Sequence, residues 1–321
     1  MILPYLLRLV CLCLAAFFLF NFAAGLPLAL ASRAIVARAN RMRARSAARL
    51  LFVLRVLPAA LAFLVVVGLC VPSYLWLEPE LAVEEIAAPW IATAVLGAAL
   101  CFIATARAAR SILQARRHAR SCERLSRATS FAGARLPVWI LDTPAPLCAL
   151  VGIFRSGVLL SGAVINRLTA AQLALALRHE EAHDSSRDNL KRLLILMTPG
   201  LLPGVSGFRA MERGWGRLSE WAADDEAAGG DTHRSLTLAA ALVRVARMGG
   251  TALAPLSANF LDDCGDVTAR VDRLLHPTPP LIHRHNWTLI GSLAAVFAVA
   301  VSLLNPVSLA ACHATIERLI H

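Results

Sequence analysis

Four long apolar stretches constrain the fold of this chain more than any other feature of its sequence. They cover residues 9–31, 50–77, 89–106 and 287–311. Each is close to or above the length of about 20 residues that crosses a bilayer as a helix. Because 58% of the 321 residues are hydrophobic and only 17% are charged, the chain is too apolar for an ordinary soluble domain. We therefore expect an α-helical membrane protein with about four spans.

The apolar stretches divide the chain into three parts. Residues 1–106 are expected to form three transmembrane helices, and residues 287–321 a final transmembrane helix with a short tail. Residues 107–286 are less apolar and long enough for one compact domain. A secretory signal peptide is an alternative for the first stretch, but the arginines that follow it directly favour a retained span.

The distribution of arginine predicts an orientation. The charge between the first two stretches and after the third is almost entirely basic, whereas the loop between the second and third holds only acids. The basic residues are Arg33, Arg38, Arg41, Arg43, Arg45, Arg49, Arg107, Arg110, Arg116, Arg117, Arg120, Arg124 and Arg127, and the acids are Glu78, Glu80, Glu84 and Glu85. By the positive-inside rule, residues 107–286 are cytoplasmic and both termini are external. The net charge of +11 is thereby explained, and we expect the lipid bilayer rather than nucleic acid as the partner of these arginines.

The pentapeptide His179-Glu180-Glu181-Ala182-His183 is an H-E-x-x-H motif. Thr169 and Gln172 resemble a capping box, and an apolar run without Gly or Pro leads into the first His, so we expect a helix over residues 169–189. Residues four apart share one face of a helix, so the two imidazoles can bind one metal ion while Glu180 acts as the general base.

A second acidic motif supplies the remaining ligand. Glu220 begins an E-x-x-x-D pattern that ends at Asp224, on what we expect to be a second helix. Two His and one Glu ligand match a catalytic zinc site with one ion, and Asp224 can accept the second ring N–H of a ligating His. The alternative is that these are solvated groups on an amphipathic helix, and the paired motifs argue against it.

The ligands also fix the course of the apolar residues 193–208. If this segment crossed the membrane, Glu220 would lie on the opposite side from His179 and His183. Three ligands of one ion cannot be so divided. Because the segment is short and broken by Pro and Gly, we expect a hydrophobic hairpin that abuts the membrane.

Upstream of the motif, residues 138–141, 149–153 and 158–161 are short apolar runs separated by Pro and Gly, which predict a small sheet. We assign the last run as the edge strand that would hold a substrate by main-chain hydrogen bonds; a wholly internal strand is the alternative.

Residues 137–275 resemble the integral-membrane gluzincin peptidases of the BlaR/MecR antirepressor type. The resemblance lies in strand 158–161, in the metal helix with its Arg187-Asp188 step, in the Glu220 motif after a Pro-containing apolar segment, and in the late helix that includes Arg270. It implies an α+β zincin-like domain in a bacterial cytoplasmic membrane, zinc at His179, His183 and Glu220, and Glu180 as base. The substrate would be a protein or peptide, with a cytoplasmic transcriptional repressor as one candidate.

The chain departs from that family because only residues 312–321 follow the last stretch, where β-lactam-sensing members carry a penicillin-binding domain. HtpX/Ste24-like processing peptidases share the zinc motif and are the nearest alternative family, but they usually place two hydrophobic segments before it instead of three. A non-enzymatic membrane signalling protein is a further alternative. A transporter would require more polar residues in the spans. His233, 13 residues after Glu220, is a candidate oxyanion partner.

Overall fold

A computed structural model describes residues 5–77, 87–129, 134–202, 206–249, 258–259 and 264–276, together with Ala314. The described part is mostly helical, with one small mixed sheet. The predicted fourth span at 287–311 and the acidic loop at 78–86 lie outside the described residues.

Within the described residues, three helical segments are long and apolar enough to cross a membrane, and they coincide with the first three predicted stretches. The first is α1 (Tyr5–Leu30), which is followed by the short α2 (Ser32–Ala39). The second comprises α3 (Ala44–Val65), a π-helical turn (Val66–Cys70) and α4 (Val71–Leu77). The third lies in α5 (Ala88–Leu125). Helices α3 and α5 run beyond the apolar windows at their basic ends because arginine is a good helix former. Helix α5 therefore passes the predicted domain boundary at residue 106 without a break.

The five-stranded sheet confirms the three predicted strands nearly at their expected bounds. Its members are β1 (Ser126–Thr129), β2 (Val138–Leu141), β3 (Cys148–Val151), β4 (Gly157–Ser161) and β5 (Ala258–Asn259), in the order β1-β2-β4-β3-β5. Strands β2 and β4 pair in parallel, and the other pairs are antiparallel.

The prediction that residues 158–161 form an edge strand is wrong. Strand β4 lies between β2 and β3, and all five of its residues are buried. An uninterrupted apolar run is typical of a strand that is covered on both faces, whereas a half-exposed strand alternates. The apolar run in β4 thus indicated an internal position.

Six helices among the described residues follow the fourth strand. They are α6 (Gly162–Arg167), α7 (Ala170–Ser185), α8 (Asp188–Met197), α9 (Gly207–Ala228), α10 (Thr232–Ala246) and α11 (Cys264–Leu275). The largest apolar core lies between the sheet and helices α7, α10 and α11, and includes Val138, Leu150, Leu160, Leu177, Leu238, Leu242 and Leu274.

The helix predicted over residues 169–189 is correct only as far as Ser185. The capping box of Thr169 and Gln172 is present at its start. At its end, the Ser185 hydroxyl donates to the carbonyl of Ala182, and Arg187 adopts the left-handed conformation with φ 52°. Short hydroxyl side chains compete with the helical hydrogen bonds in this way. Helix α8 therefore starts anew at Asp188 and takes a separate direction.

Helices α8 and α9 flank the apolar segment for which a hairpin was predicted, and His179, His183 and Glu220 lie together in space. The hairpin and its contact with a membrane stay a prediction. At the turn, Leu201, Phe208 and Met211 pack against Ala29 near the end of α1.

Candidate metal centre

Helix α7 places three motif residues inside the protein. His179 and Glu180 are fully buried and His183 is 1% exposed. The helix is held in this position because Leu175, Ala176 and Leu177, just before the motif, belong to the main apolar core. Charged groups at such depth require partners or a bound ion.

The three predicted ligands converge on one point. The Nε2 atoms of His179 and His183 are 3.2 Å apart, and each lies 3.4 Å from an oxygen of Glu220. Tetrahedral zinc with Zn–N bonds of about 2.0–2.1 Å separates its ligand atoms by roughly 3.3 Å. The buried group His179, His183 and Glu220 therefore has the spacing of a single metal site, although other divalent ions also bind such ligands.

A carboxylate lies beside the Nδ1 atom of each imidazole. Asp224 lies 3.0 Å from Nδ1 of His179, as predicted, and Asp188 lies 2.9 Å from Nδ1 of His183. A ring N–H donated to a carboxylate leaves the other nitrogen with its lone pair free to bind the ion. Asp188 is also within 3.0 Å of the Lys191 ammonium, which holds it in place.

Arg270 is a buried cation in contact with the ligand group. Its side chain is 1% exposed and donates from Nη2 and Nε to the two oxygens of Asp224. Its Nη1 is also 3.1 Å from Oε2 of Glu220. The two acids of α9 are thus linked to α11 through one guanidinium group.

The electrostatics of the centre favour a cation. Burial alone would raise the pKa of Asp224, but the charge of Arg270 and the hydrogen bond with His179 lower it to about 2. Burial likewise opposes ionisation of Glu220, yet His183 and Arg270 bring its pKa well below the usual value. Burial lowers the pKa of His183, but the charges of Glu220 and Asp188 outweigh it and raise the pKa to about 10. A metal ion and a proton would therefore compete for the His183 ring.

Glu180 differs from the other acids of the site. Its Oε2 accepts a hydrogen bond of 2.7 Å from the backbone N–H of Leu150 in β3. Its Oε1 is buried and has no hydrogen-bond partner among the described residues. Burial raises its pKa to about 7, against the opposing charges of His179 and His183. A fixed carboxylate with one free oxygen and a near-neutral pKa suits a general base.

A cavity of about 340 Å³ opens beside His183. Its walls include Leu150, Ile153, Phe154 and Asn189. The Asn189 amide donates to the carbonyls of Leu150 and Gly152, which joins α8 to the end of β3. The cavity therefore lies between the metal helix and the strand that positions Glu180.

The candidate oxyanion partner His233 differs from the buried ligand group. It is exposed in the first turn of α10, and within the described part of the chain its side chain makes no hydrogen bond or ion pair with the ligands. Its role as oxyanion partner stays a prediction.

Two positions with clear contacts were not assigned a role from the sequence. Asp188 and Arg270 belong to the motifs that carry the family resemblance. Those motifs do not predict that Asp188 contacts His183 or that Arg270 contacts Asp224.

No protein-family model matches this chain, and no curated protein sequence is significantly similar to it. The resemblance to the BlaR/MecR-type peptidases therefore rests on the motifs themselves and stays a prediction.

Proposed function

We propose that this chain is a membrane-embedded zinc endopeptidase with an α+β, zincin-like catalytic domain. The observation that carries the proposal is the convergence of two imidazole nitrogens 3.2 Å apart, each 3.4 Å from a different oxygen of Glu220, next to a buried carboxylate with one free oxygen. Two imidazoles and one carboxylate on a pair of helices are the ligand set of many catalytic zinc sites. A purely structural zinc site would be expected to have four protein ligands and no adjacent base.

The residues of the chain have separate tasks in peptide hydrolysis. A bound zinc ion would polarise the scissile carbonyl and lower the pKa of the attacking water. Glu180 accepts a proton from that water on its free Oε1 and returns the proton to the leaving nitrogen. The Leu150 N–H holds the other oxygen, so the carboxylate keeps one orientation throughout. Asp224 and Asp188 keep the two imidazoles in the metal-binding tautomer.

The resemblance and the charge pattern support a location and a class of substrate. With the arginine-rich ends of the candidate spans on the inner side, the catalytic domain is cytoplasmic in a bacterial membrane. A regulatory peptidase that cuts a protein, such as a transcriptional repressor, is the function that the resemblance implies.

The test uses the full-length protein purified in detergent, with bound metal measured by mass spectrometry and hydrolysis measured on disordered casein. We expect one zinc per chain in wild type and in Glu180→Gln, since the substitution leaves the three ligands intact. Hydrolysis should fall by roughly 10²–10⁴-fold in this variant because the general base is lost.

The matched control is Glu181→Gln, the neighbouring acid of the same motif, which bonds the backbone of Arg135 and not the centre. It should retain zinc and activity. Wild-type protein that binds zinc without cutting casein above the Glu180→Gln level would contradict the enzyme and support a non-enzymatic signalling protein. Equal activity in wild type and Glu180→Gln would contradict the role of the base.

A further inference from the structure

Aromatic side chains mark one end of the candidate spans. The rings of Tyr5 and Tyr74 have centroids 4.9 Å apart, and each hydroxyl donates to the backbone of the other residue. Trp76 is 74% exposed beside this pair, and Trp90 begins the third span. Tyr and Trp concentrate where the hydrocarbon of a bilayer meets its headgroups. This end therefore lies at the interface away from the arginine clusters.

The opposite edge of the hydrocarbon follows from helix geometry. A core about 30 Å thick takes about 20 helical residues at 1.5 Å each. This length leads from Tyr5 to Gly25 on α1 and from Tyr74 to Leu54 on α3. The two end points lie at the same depth, because Gly25 and Arg55, the residue after Leu54, both lie against the ring of Phe208. The start of α9 thus lies at the inner edge of the hydrocarbon.

Two backbone carbonyls in the turn between α8 and α9 have the polar partners that such groups need at the edge of the hydrocarbon. The Arg55 guanidinium donates to the carbonyl of Thr198, and the Asn21 amide lies 3.4 Å from the carbonyl of Gly200. Carbonyls at the end of a helix have no partner within it, and in hydrocarbon no water can replace one. Arg55 is itself paired with Glu212 at 2.7 Å. The two spans therefore anchor the hairpin turn at the membrane edge.

The height of the metal centre above that edge can be measured along two helices. From Thr198 to Asp188 on α8, ten residues rise about 15 Å, and from Phe208 to Glu220 on α9, twelve residues rise about 18 Å. Helix α9 runs antiparallel to α3, because Glu212 pairs with Arg55 and Glu226 pairs with Arg45. The centre therefore stands roughly 15–18 Å from the hydrocarbon, just outside the headgroups.

Part of the wall of the cavity beside His183 packs against the helix that contains the third span. Ile153, in the cavity wall, packs against a cluster that contains Ala108 and Ile112 of α5 and Leu193 of α8. Twenty residues after Trp90, α5 leaves the hydrocarbon near this point. Phe154, also in the cavity wall, is 80% exposed. A chain that emerges from the bilayer beside α5 would therefore meet the cavity before it reached the metal ligands.

Resting on the proposed function, we infer that the metal centre cuts the juxtamembrane segment of a second, membrane-anchored protein on the arginine-rich side of the bilayer. An extended chain advances about 3.3 Å per residue and covers the 15–18 Å to the centre in about five residues. The first bond within reach thus lies about five residues beyond the end of the substrate's span.

The test presents one disordered casein segment in two forms to the full-length protein in liposomes. The first form is soluble, and the second is fused behind a single apolar helix through Gly-Ser spacers of 0, 5, 15 and 60 residues. We expect the tethered form with a 5- or 15-residue spacer to be cut at least tenfold faster than the soluble form at the same concentration, since tethering raises the local concentration. With no spacer, the bonds nearest the span should be spared.

The cut positions, read by mass spectrometry, distinguish the possible results. Bonds cut closer than about five residues to the span, or equal rates for the soluble and tethered forms, would overturn the inference and favour a soluble substrate. If wild type and Glu180→Gln cut neither form, the proposed function itself fails and the inference fails with it. Cleavage of the soluble form by wild type but not by Glu180→Gln would support the proposed peptidase function, whatever the tethered forms show about its substrate.

Discussion

Arg270 donates two hydrogen bonds to Asp224, from Nε to Oδ2 at 2.8 Å and from Nη2 to Oδ1 at 2.7 Å. Both side chains are 1% exposed, and Asp224 in turn orients His179. The Arg270 guanidinium thus holds the Asp224 carboxylate, which lies against the predicted metal ligand His179. This connection makes the candidate metal site depend on the position of α11, which carries none of the three predicted ligands.

We predict that Arg270→Lys weakens metal binding by about 10–100-fold, because a lysine cannot reproduce the paired hydrogen bonds that hold Asp224. The measurement is a competition titration with a zinc chelator of known affinity. The control is Arg273→Lys on the same helix, since Arg273 makes a similar two-bond pair with Asp225 at the surface. Equal losses in the two variants would show that α11 is merely destabilised.

Asp188→Asn should also weaken metal binding by about 10–100-fold, because the amide does not fix His183 in the metal-binding tautomer as a carboxylate does. Asp184→Asn is the matched control, since Asp184 lines the same cavity but makes no contact with His183 through its side chain in the described structure. Zinc affinity and circular dichroism should be measured for both. Unchanged affinity in Asp188→Asn would contradict the orienting role.

The pairing of His179 with His183 was predictable from the sequence because it follows from local helix geometry. A spacing of four on a helix places His179 and His183 on one face whatever the rest of the chain does. The contact of Asp188 with His183 was not predictable, because it depends on the left-handed residue Arg187, which ends α7 early. The contact of Arg270 with Asp224 joins residues 46 positions apart and exists only through tertiary packing.

The sheet, too, was only partly predictable from the sequence. The apolar runs predicted where strands form, but strand order depends on which edges are covered by other parts of the chain. The apolar run of β4 favours an internal position, but only its pairing shows that its neighbours are β2 and β3. The spans were predicted better, since the hydrophobic length that crosses a bilayer is a property of each segment alone.

The contact between the α9 start and α1 leads to a third prediction. A Cβ added at Gly207 would lie 2.1 Å from the carbonyl oxygen of Ala29, whereas one added at Gly216 would meet nothing within 4 Å. Gly207→Ala should therefore lower the free energy of unfolding by about 1–3 kcal/mol through overpacking. Gly216→Ala should raise it by about 0.5–1 kcal/mol through helix propensity. Thermal unfolding in detergent should give midpoints that shift in opposite directions; a shared direction would contradict the close contact.

The Arg55–Glu212 pair allows a test of how the metal domain is joined to the spans. Arg55 is 2% exposed and Glu212 is 25% exposed, with 2.7 Å between Nε and Oε1. Removal of one partner leaves the other without its counter-charge in an apolar setting, so Arg55→Met and Glu212→Gln should each lower the free energy of unfolding by about 3 kcal/mol. The double variant should lose clearly less than the sum.

The matched control is a double-mutant cycle on Arg45 and Glu226. These residues join the same two helices at 3.1 Å but are each about half exposed. Their coupling free energy should stay below about 1 kcal/mol because solvent screens the pair. Both cycles are read from denaturant unfolding in the same detergent. Additive losses at Arg55 and Glu212 would contradict the anchoring of α9 by α3, because independent sites add and coupled ones do not.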